Sequence, residues 1–588
     1  MIKLHSIVKQ LVVWSLALTC FVACEDVFDI ESNTYVKTDD YFKSIHDLDN
    51  AARGMYDGLQ DCVEKMLIWG EIRGDLVTET ENTPWDIKEF NDLSVSSVNQ
   101  YTDWSEFYAV INSANLIIEN AHKVVEHDYN FDEKQAIQFV AEAVNVRSLC
   151  YFWLVRTFGD VPFVLNSFSN NINDTKIDTV WHNNGDYSLE EVPVFIVDPT
   201  DADIILDSLE VQLARYAGIE RIYSQEITDG GGRDPLIYSS RFKAVTNLAL
   251  RADILLWRMG PDDRETARKV IELTDSIFSF RPEQYSLGNY ETSPVCYNNK
   301  GNPVQRWIEI FTGEGSLMPE SIFEIRFQKR TKPDFNVLQQ YTSRYASEGG
   351  RYIIKPTRKA IDYWQNDEFW GKIYIDTCDI MRGYNASFTG NYNEEEDIWE
   401  DAEVFKFLVA SEGGLRRTAK ESDSNWTIYR MADILAMQCE ALNRTRESLA
   451  AIRKLQGSDY WNLNWSFDPS REGPMGLRKR ACVVEYVTSN DAPPELEEAE
   501  EIILEERAKE LAFEGRRWFD LIRIAKRGQL QFFLDEMEFA AEDHRKANIR
   551  QQASNPENWF LPYHEDAKKY FVNPNYRNKA IDKALDNL

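Results

Sequence analysis

The sequence predicts a mainly α protein, a scaffold of paired helices overlaid by a loop-rich subdomain. Two observations predict it. Apolar residues recur at i, i+3, i+4 and i+7 through long stretches before residue 280 and again after residue 426, the period of a helix with one buried face. Between them, over 280–425, Gly, Asn, Pro and aromatics replace the periodicity. Composition agrees with a folded body: of 588 residues 43% are hydrophobic and 13% aromatic, enough to build cores. The 98 Asp and Glu outweigh 65 Lys and Arg, a net charge of −33. That charge argues against a nucleic-acid partner, because phosphate contacts need a basic surface. After the N-terminus, no stretch reaches the roughly 18–20 apolar residues a membrane span needs.

Residues 1–23 read as an export signal. Lys3 and Lys9 precede an apolar run over 11–22, about the length of a signal-peptide core and too short to span as a mature helix. The run ends in Phe21-Val22-Ala23-Cys24. A small residue directly before a Cys resembles a bacterial lipobox, with Phe21 in place of the usual Leu. The resemblance implies cleavage before Cys24 and acylation of its thiol. Cys20 is a rival, but it follows Thr19 inside the apolar run, and an ordinary secretory signal with a chance Cys is the alternative. Glu25, Asp26 and Asp29 resemble the surface-export tag of some Gram-negative lipoproteins. The expected location is the outer membrane, facing outward and anchored through buried acyl methylenes.

The helices follow in order. Over 104–127, Phe107, Ile111, Ala114, Ile118, Ala121 and Val125 share a face. Over 133–158, Ile137, Val140, Ala141, Val144, Ser148, Tyr151, Phe152 and Val155 do so. Asp132 is placed to cap the second helix and Gly159 to stop it, with Pro162 beyond. Similar pairs recur at 201–216 with 239–259, then 261–278, and at 426–443 with 446–455. Ala143, Ala249, Ala252 and Ala441 supply small contact positions, and the pairs look like tetratricopeptide-type hairpins. Strand-like runs at 321–327 and 351–354 mark the loop-rich part, where binding residues would sit on a rigid frame. The expected divisions are a signal at 1–23, an N-terminal helical scaffold at 24–279, a loop-rich subdomain at 280–425 and a C-terminal helical region at 426–588.

Signatures of catalysis fail on inspection. The seven His form no HExxH, G-x-S-x-G is absent, and Gly230-Gly231-Gly232 lacks the Lys-Ser/Thr of a phosphate loop. No CxxC pair exists; Cys150 and Cys439 fall in helical patterns as small hydrophobes, and Cys296 could bridge Cys378 in an oxidising compartment. Paired glycosidase carboxylates can lie far apart in sequence, so among 98 acids no pair stands out. No cofactor is expected. The acidic run over 394–403 could offer oxygens to Ca²⁺, but it lacks the alternate spacing and Gly of an EF-hand and reads as a solvated loop.

Residues 505–528 interlock by charge: Glu510 follows Arg507 by three, Arg517 follows Glu514 by three, Asp520 follows Arg516 by four, and Arg523 follows Asp520 by three. On a helix these are lateral neighbours that would fix a helix and turn. The run from Glu506-Arg507 through Phe513-Glu514-Gly515 and Trp518-Phe519-Asp520-Leu521 to Arg523 resembles the C-terminal signature of the SusD/RagB family of outer-membrane lipoproteins. Glu142-Ala143 through Tyr151-Phe152, Arg156 and Phe158-Gly159-Asp160-Val161-Pro162 resembles another of its segments, with Ser148 for the common Ala. Tyr429-Arg430-Met431-Ala432-Asp433-Ile434-Leu435 and Glu440-Ala441-Leu442-Asn443 resemble a third, with Ala436 and Cys439 as departures. Leu561-Pro562, Asn573-Pro574 and Tyr576 resemble its closing segment, with Tyr563 and His564 for the usual Ile-Pro. With the lipobox, the matches span nearly the whole chain. The resemblance implies a tetratricopeptide-like helical hairpin scaffold with a loop-rich lobe. It also implies a nutrient-binding rather than enzymatic role, most often toward a glycan, and a SusC-like TonB-dependent transporter as partner. Two alternatives stay open: a RagB-like peptide binder, and a lid with no small ligand.

A glycan presents C–H faces that stack on aromatic rings and hydroxyls that meet planar polar groups. Trp153, Trp257, Trp426 and Trp518 lie in helical patterns and are expected in the core, and Trp104 is expected to pack at a helix start. The candidates are Asp75, Trp85 and Tyr101 in the stretch 74–101, which the resemblance implicates by region, and Trp307, Trp364, Trp370 and Trp399 in the loop-rich part. The sharpest expectation pairs Trp85 with one of Trp307, Trp364 or Trp399. Net charge favours a neutral ligand, unless a basic pocket near Arg326, Lys329 and Arg330 overrides it.

Overall fold

The computed structural model describes residues 41–586 except 168–174, 182–186, 194–195, 221–239, 281–309, 312–319, 328–336, 366–381, 394, 397, 409–415, 418–423, 458–475, 481–491 and 574. Cys20, Cys24, Cys296, Cys378, Trp307, Trp370, Lys329, Arg330 and the glycines at 230–232 therefore lie outside the described residues. The chain opens on α1 (Ile45–Asp61) and α2 (Val63–Leu67), which runs on into a π-helical turn at Ile68–Ile72. Strand β1 (Val77–Glu79) and helix α3 (Trp85–Asn91) lead to the long hairpin of α4 (Ser105–His127) and α5 (Glu133–Phe158). Next, β2 (Val161–Pro162) pairs with β5 (Pro199–Thr200), and β3 (Thr175–Trp181) with β4 (Tyr187–Pro193), both antiparallel. Helices α6 (Ala202–Arg215), α7 (Ala244–Arg258) and α8 (Arg264–Ser279) complete this part.

The middle of the chain holds β6 (Ser321–Ile325), α9 (Val337–Thr342), β7 (Ile354–Pro356), α10 (Arg358–Gln365), β8 (Phe388–Asn393) and β9 (Ile398–Val404). β10 (Trp426–Arg430) then leads into α11 (Met431–Arg444) and α12 (Ser448–Gln456). Beyond come α13 (Leu477–Arg480), α14 (Leu496–Leu511), α15 (Arg517–Lys526), α16 (Leu530–Ala540) and α17 (Lys546–Ala553). β7 returns to pair antiparallel with β1, setting Pro356 opposite Val77, and β10 pairs with β6, setting Trp426 opposite Ile325.

The α4–α5 hairpin ends where its chemistry dictates. Asp132 and Gln135 form a reciprocal capping box, with bonds of 2.8 and 3.0 Å between each side chain and the other's backbone N–H. Gly159 stops α5 at φ 78°, and a Cβ there would sit 2.6 Å from that of Ala580. From Phe139 onward α5 is buried on every side, so the face expected from periodicity understates its environment. Ile137, placed on that face, is instead partly exposed. Trp153, Trp257, Trp426 and Trp518 are all in the core. Trp426 differs in element: it begins strand β10 rather than a helix, and the helix starts at Met431.

The charge-interlocked segment works across the molecule rather than along one helix. Its helix breaks between α14 and α15, where Phe513 (φ 69°) and Gly515 (φ 72°) turn through the left-handed region. Spacings that cross this break are no longer lateral. Arg523 does meet Asp520 locally at 2.7 Å. Glu510 and Glu514 instead clasp Arg430 at 2.7 and 2.9 Å, together with Glu320 at 2.7 Å, all fully buried. Arg507 joins Asp433 and Asp520 at 2.9 and 3.0 Å, and Arg382 joins Glu506 and Glu510 at 2.6 and 3.1 Å. These pairs tie the middle of the chain to its C-terminal helices.

Candidate functional site

The middle segments meet the 80–103 region on one surface. Thr83 Oγ1 accepts the Thr80 N–H at 2.7 Å and donates to the Ile353 carbonyl at 2.6 Å, while the Thr80 hydroxyl donates to the Tyr352 carbonyl. The Tyr352 hydroxyl in turn donates to the Ala402 carbonyl on β9 at 2.8 Å. Arg344 donates its backbone N–H to Glu403 at 2.7 Å and pairs with Asp401 at 2.8 Å. Arg416 binds Glu348 at 2.7 Å and Glu403 at 3.1 Å, and its guanidinium lies 4.7 Å from the Tyr345 ring centre. The loop before α3, residues 343–353 and the β8–β9 hairpin are thus laced into one unit. Tyr352, Asn385 and Asp401 hold φ of 50°, 59° and 55°, conformations that non-glycine residues keep only when the surroundings enforce them.

This unit displays the aromatic rings. Tyr392 of β8 is the cross-strand partner of Trp399 of β9, and their ring centres are 5.3 Å apart. Trp399 also packs on Tyr384 at 4.9 Å and edge-on to Phe388 at 5.2 Å. Phe388 is buried and Trp399 half-buried, while Tyr392 is 46% exposed. Tyr345 is 43% exposed and Trp85 72% exposed. The Trp85 indole N–H is held by Glu89 at 3.2 Å, which fixes the ring at the start of α3. Charged groups stand by the Tyr345 ring: the guanidiniums of Arg344 and Arg416 lie 5.4 and 4.7 Å from its centre, and Glu348 binds Arg416. Burial raises the Glu403 carboxyl against the pull of the Arg344 N–H and Arg416, and burial with Glu403 and Glu81 pushes the Tyr352 phenol up to about 12.

The structure corrects two of the candidates. Asp75 is 1% exposed, gripped by Arg517 at 2.6 Å and Lys359 at 2.7 Å, so its carboxylate is spent inside the core. Burial opposes its ionisation, but Arg517 and Lys359 outweigh burial and hold its carboxyl well below the usual range. Trp364 is 1% exposed, stacked on Phe388 at 5.7 Å with its N–H on the Lys509 carbonyl, and shows no face to solvent. Trp85 stands at a helix start rather than in a loop, and Tyr101 is half-buried with its hydroxyl 3.4 Å from Glu64. Trp399 stands on a strand. The acidic run around it, expected to be a solvated loop, ends in β9, where Glu403 is buried. Tyr345, Tyr384 and Tyr392 escaped the sequence argument. The alternation of Phe388, Gly390 and Tyr392, followed by a turn-forming acidic stretch, was the available hairpin signal.

Among the described residues, a cleft of about 580 Å³ lies beside Arg446, Arg453 and Glu495, and another of about 600 Å³ among Asp207, Glu210, Arg251 and Arg258. Their linings carry charge and no aromatic ring. Among the described residues no group of three His, Cys, Asp or Glu could hold a metal ion, and no helix is long and apolar enough to cross a membrane.

Comparison with known proteins points one way. The SusD family matches residues 382–585, and a family described as starch-binding associating with outer membrane matches residues 29–183. A SusD-like protein of Formosa agariphila is 23% identical over 531 residues, 86% of this chain and 88% of that one. A SusD superfamily structure from Bacteroides vulgatus aligns with TM-score 0.62 at 17% identity, over 91% of this chain and 98% of that one. A structure titled as a laminarin binding SusD-like protein aligns with TM-score 0.56 at 17% identity, over 91% of this chain and 100% of that one. These matches cover both the helical hairpins and the ion-paired signature helices, and the chain belongs to the SusD/RagB family.

Proposed function

We propose that this protein is a surface lipoprotein of the outer membrane that binds an oligo- or polysaccharide and delivers it to a SusC-like TonB-dependent transporter. The observation that carries the glycan reading is the laced surface bearing Trp85, Tyr345, Tyr392 and Trp399. Exposed rings stand there, with Arg344, Arg416 and Glu348 at Tyr345 suited to sugar hydroxyls. The laminarin-binding relative supports the ligand class. The outer-membrane description of one matching family supports the location, and the lipobox ending at Cys24 supports the anchor. The role is capture rather than catalysis, and the partner rests on family membership.

Calorimetry on a panel of soluble polysaccharides tests the reading with Trp85→Ala, Tyr345→Ala, Tyr392→Ala and Trp399→Ala. Affinity should fall at least about tenfold in two or more variants, as expected of contacts worth more than about 1 kcal/mol. Wild-type affinity in all four removes the surface assignment. A blank glycan panel with peptide binding moves the protein to a peptide-capture role. Co-purification from membranes with a TonB-dependent transporter tests delivery, and loss of membrane association in Cys24→Ala tests the anchor.

A further inference from the structure

A carboxylate outside the aromatic set is linked to this surface through Tyr101 and Tyr341. Glu64 sits on α2, half-buried. Its Oε1 accepts the Tyr341 hydroxyl at 2.7 Å and lies 3.4 Å from the Tyr101 hydroxyl, and the two phenol oxygens are 3.4 Å apart. Its Oε2 has no partner among the described residues. Neighbouring carboxylates are matched: Glu106 by Lys65, Asp75 by Arg517 and Lys359, and Glu71 by the N–H groups of Phe513 and Gly515. Glu64 has phenols in place of a cation.

The trio is built from three elements: Glu64 and Tyr101 are half-buried, while Tyr341 is buried beneath them and fixes the Glu64 carboxylate. Tyr101 follows Asn99 and Gln100, whose side chains bind Asp86 directly after Trp85 at 2.8 and 2.6 Å. The Tyr101 ring packs edge-on to Phe90 of α3 at 6.3 Å. Tyr341 belongs to α9, and Arg344 and Tyr345 follow it on the same stretch. Burial raises both phenols, so they stay protonated at neutral pH and keep their hydroxyl oxygens as hydrogen-bonding groups. A fixed carboxylate oxygen beside two phenols accepts hydroxyl protons, which a neutral sugar supplies and an amide-poor apolar ligand does not. The same negative charge repels carboxylated or sulfated sugars, and the repulsion is strengthened where water is partly excluded.

We infer that Glu64, framed by Tyr101 and Tyr341, is a hydroxyl-reading subsite that selects neutral over anionic glycans. The inference rests on the glycan-binding reading above and names the ligand class of that same surface. Affinity electrophoresis and calorimetry on glucans, mannans, xylans and galactans, with polygalacturonate and alginate as anionic probes, test it. Wild type should retain a neutral polymer in preference to either anionic one. Glu64→Gln, which keeps the shape and removes the charge, should weaken the neutral affinity at least about tenfold and shrink the neutral-to-anionic preference. Tyr101→Phe, at the half-buried phenol of the trio, should weaken the same affinity. A packing role alone would leave the neutral-to-anionic ratio unmoved. Full neutral affinity and an unchanged ratio in Glu64→Gln, with losses in the Trp85 and Trp399 variants, overturn the subsite and leave the glycan reading standing. A wild type that prefers the anionic probes also overturns the subsite. A wild type blank on the whole panel overturns both.

Discussion

Asp75, Arg517 and Lys359 form a buried triad at distances of 2.6–2.7 Å, and Glu536 joins it from α16. Such pairs add little net stability, but removing one partner leaves buried charge unmatched. Asp75→Asn should therefore cost about 3–5 kcal/mol in denaturant unfolding, while the folded fraction keeps its ligand affinity. Glu71 carries the opposite sign. Burial pushes its carboxyl up to about 7, partly offset by the Phe513 and Gly515 N–H groups. Its protonation favours the folded state, so this contribution is present below about pH 4.5 and lost as pH rises through about 7. The unfolding free energy of wild type relative to Glu71→Gln, from denaturant titrations, should fall across that window by an amount on the order of 3 kcal/mol. Neither role was legible in the sequence: Asp75 and Arg517 are 442 positions apart, and spacing carries no information at that range.

At the scale of elements, the helices were legible because their signals are local. The α4–α5 hairpin has its cap at Asp132 and its stop at Gly159 where periodicity and capping chemistry put them. The β8–β9 hairpin is only partly so: Phe388, Gly390 and Tyr392 alternate, but the bulge between Thr389 and Asn391 shifts the register, and no local signal pairs Tyr392 with Trp399. Exposure now separates the two tryptophans that remain candidates. Trp85 touches little beyond Glu89, so Trp85→Ala should shift stability by less than about 0.5 kcal/mol. Trp399 packs on Tyr384, Phe388 and Tyr392, so Trp399→Ala should also destabilise the hairpin, by about 1–3 kcal/mol. Thermal unfolding of the two variants beside their calorimetry checks this split.

At the scale of the whole molecule, the ion-paired hub joins regions that sequence reasoning treated separately. Arg430 holds Glu320, Glu510 and Glu514, and Lys406 adds a bond to Glu514 at 2.9 Å. Arg430→Met leaves these carboxylates short of a cation and should lower stability by about 3–5 kcal/mol with a less cooperative transition. The hub also sets the acid response. Burial raises Asp75, Glu440, Glu514 and Asp520, but their Arg and Lys partners prevail and hold them below the usual carboxylate range. Their contribution is therefore present above ordinary carboxylate pKa values and lost as pH falls through the depressed ones. Unfolding midpoints measured from neutral to acid pH should fall steeply at the acid end, and less steeply in Arg430→Met.

The family, the helical class and the helix limits of α4, α5 and α6 were all determined by the sequence alone, because periodicity, caps and the signature run are written within a few turns of chain. Only the tertiary structure decided which charges meet and which rings face water. Arg507 pairs with Asp433 and Asp520 rather than with the Glu510 that its spacing suggested. Trp364 is sealed against Phe388 while Trp85 stands clear. Both outcomes depend on what arrives from distant parts of the chain, and burial is a property of the assembled neighbours rather than of the residue.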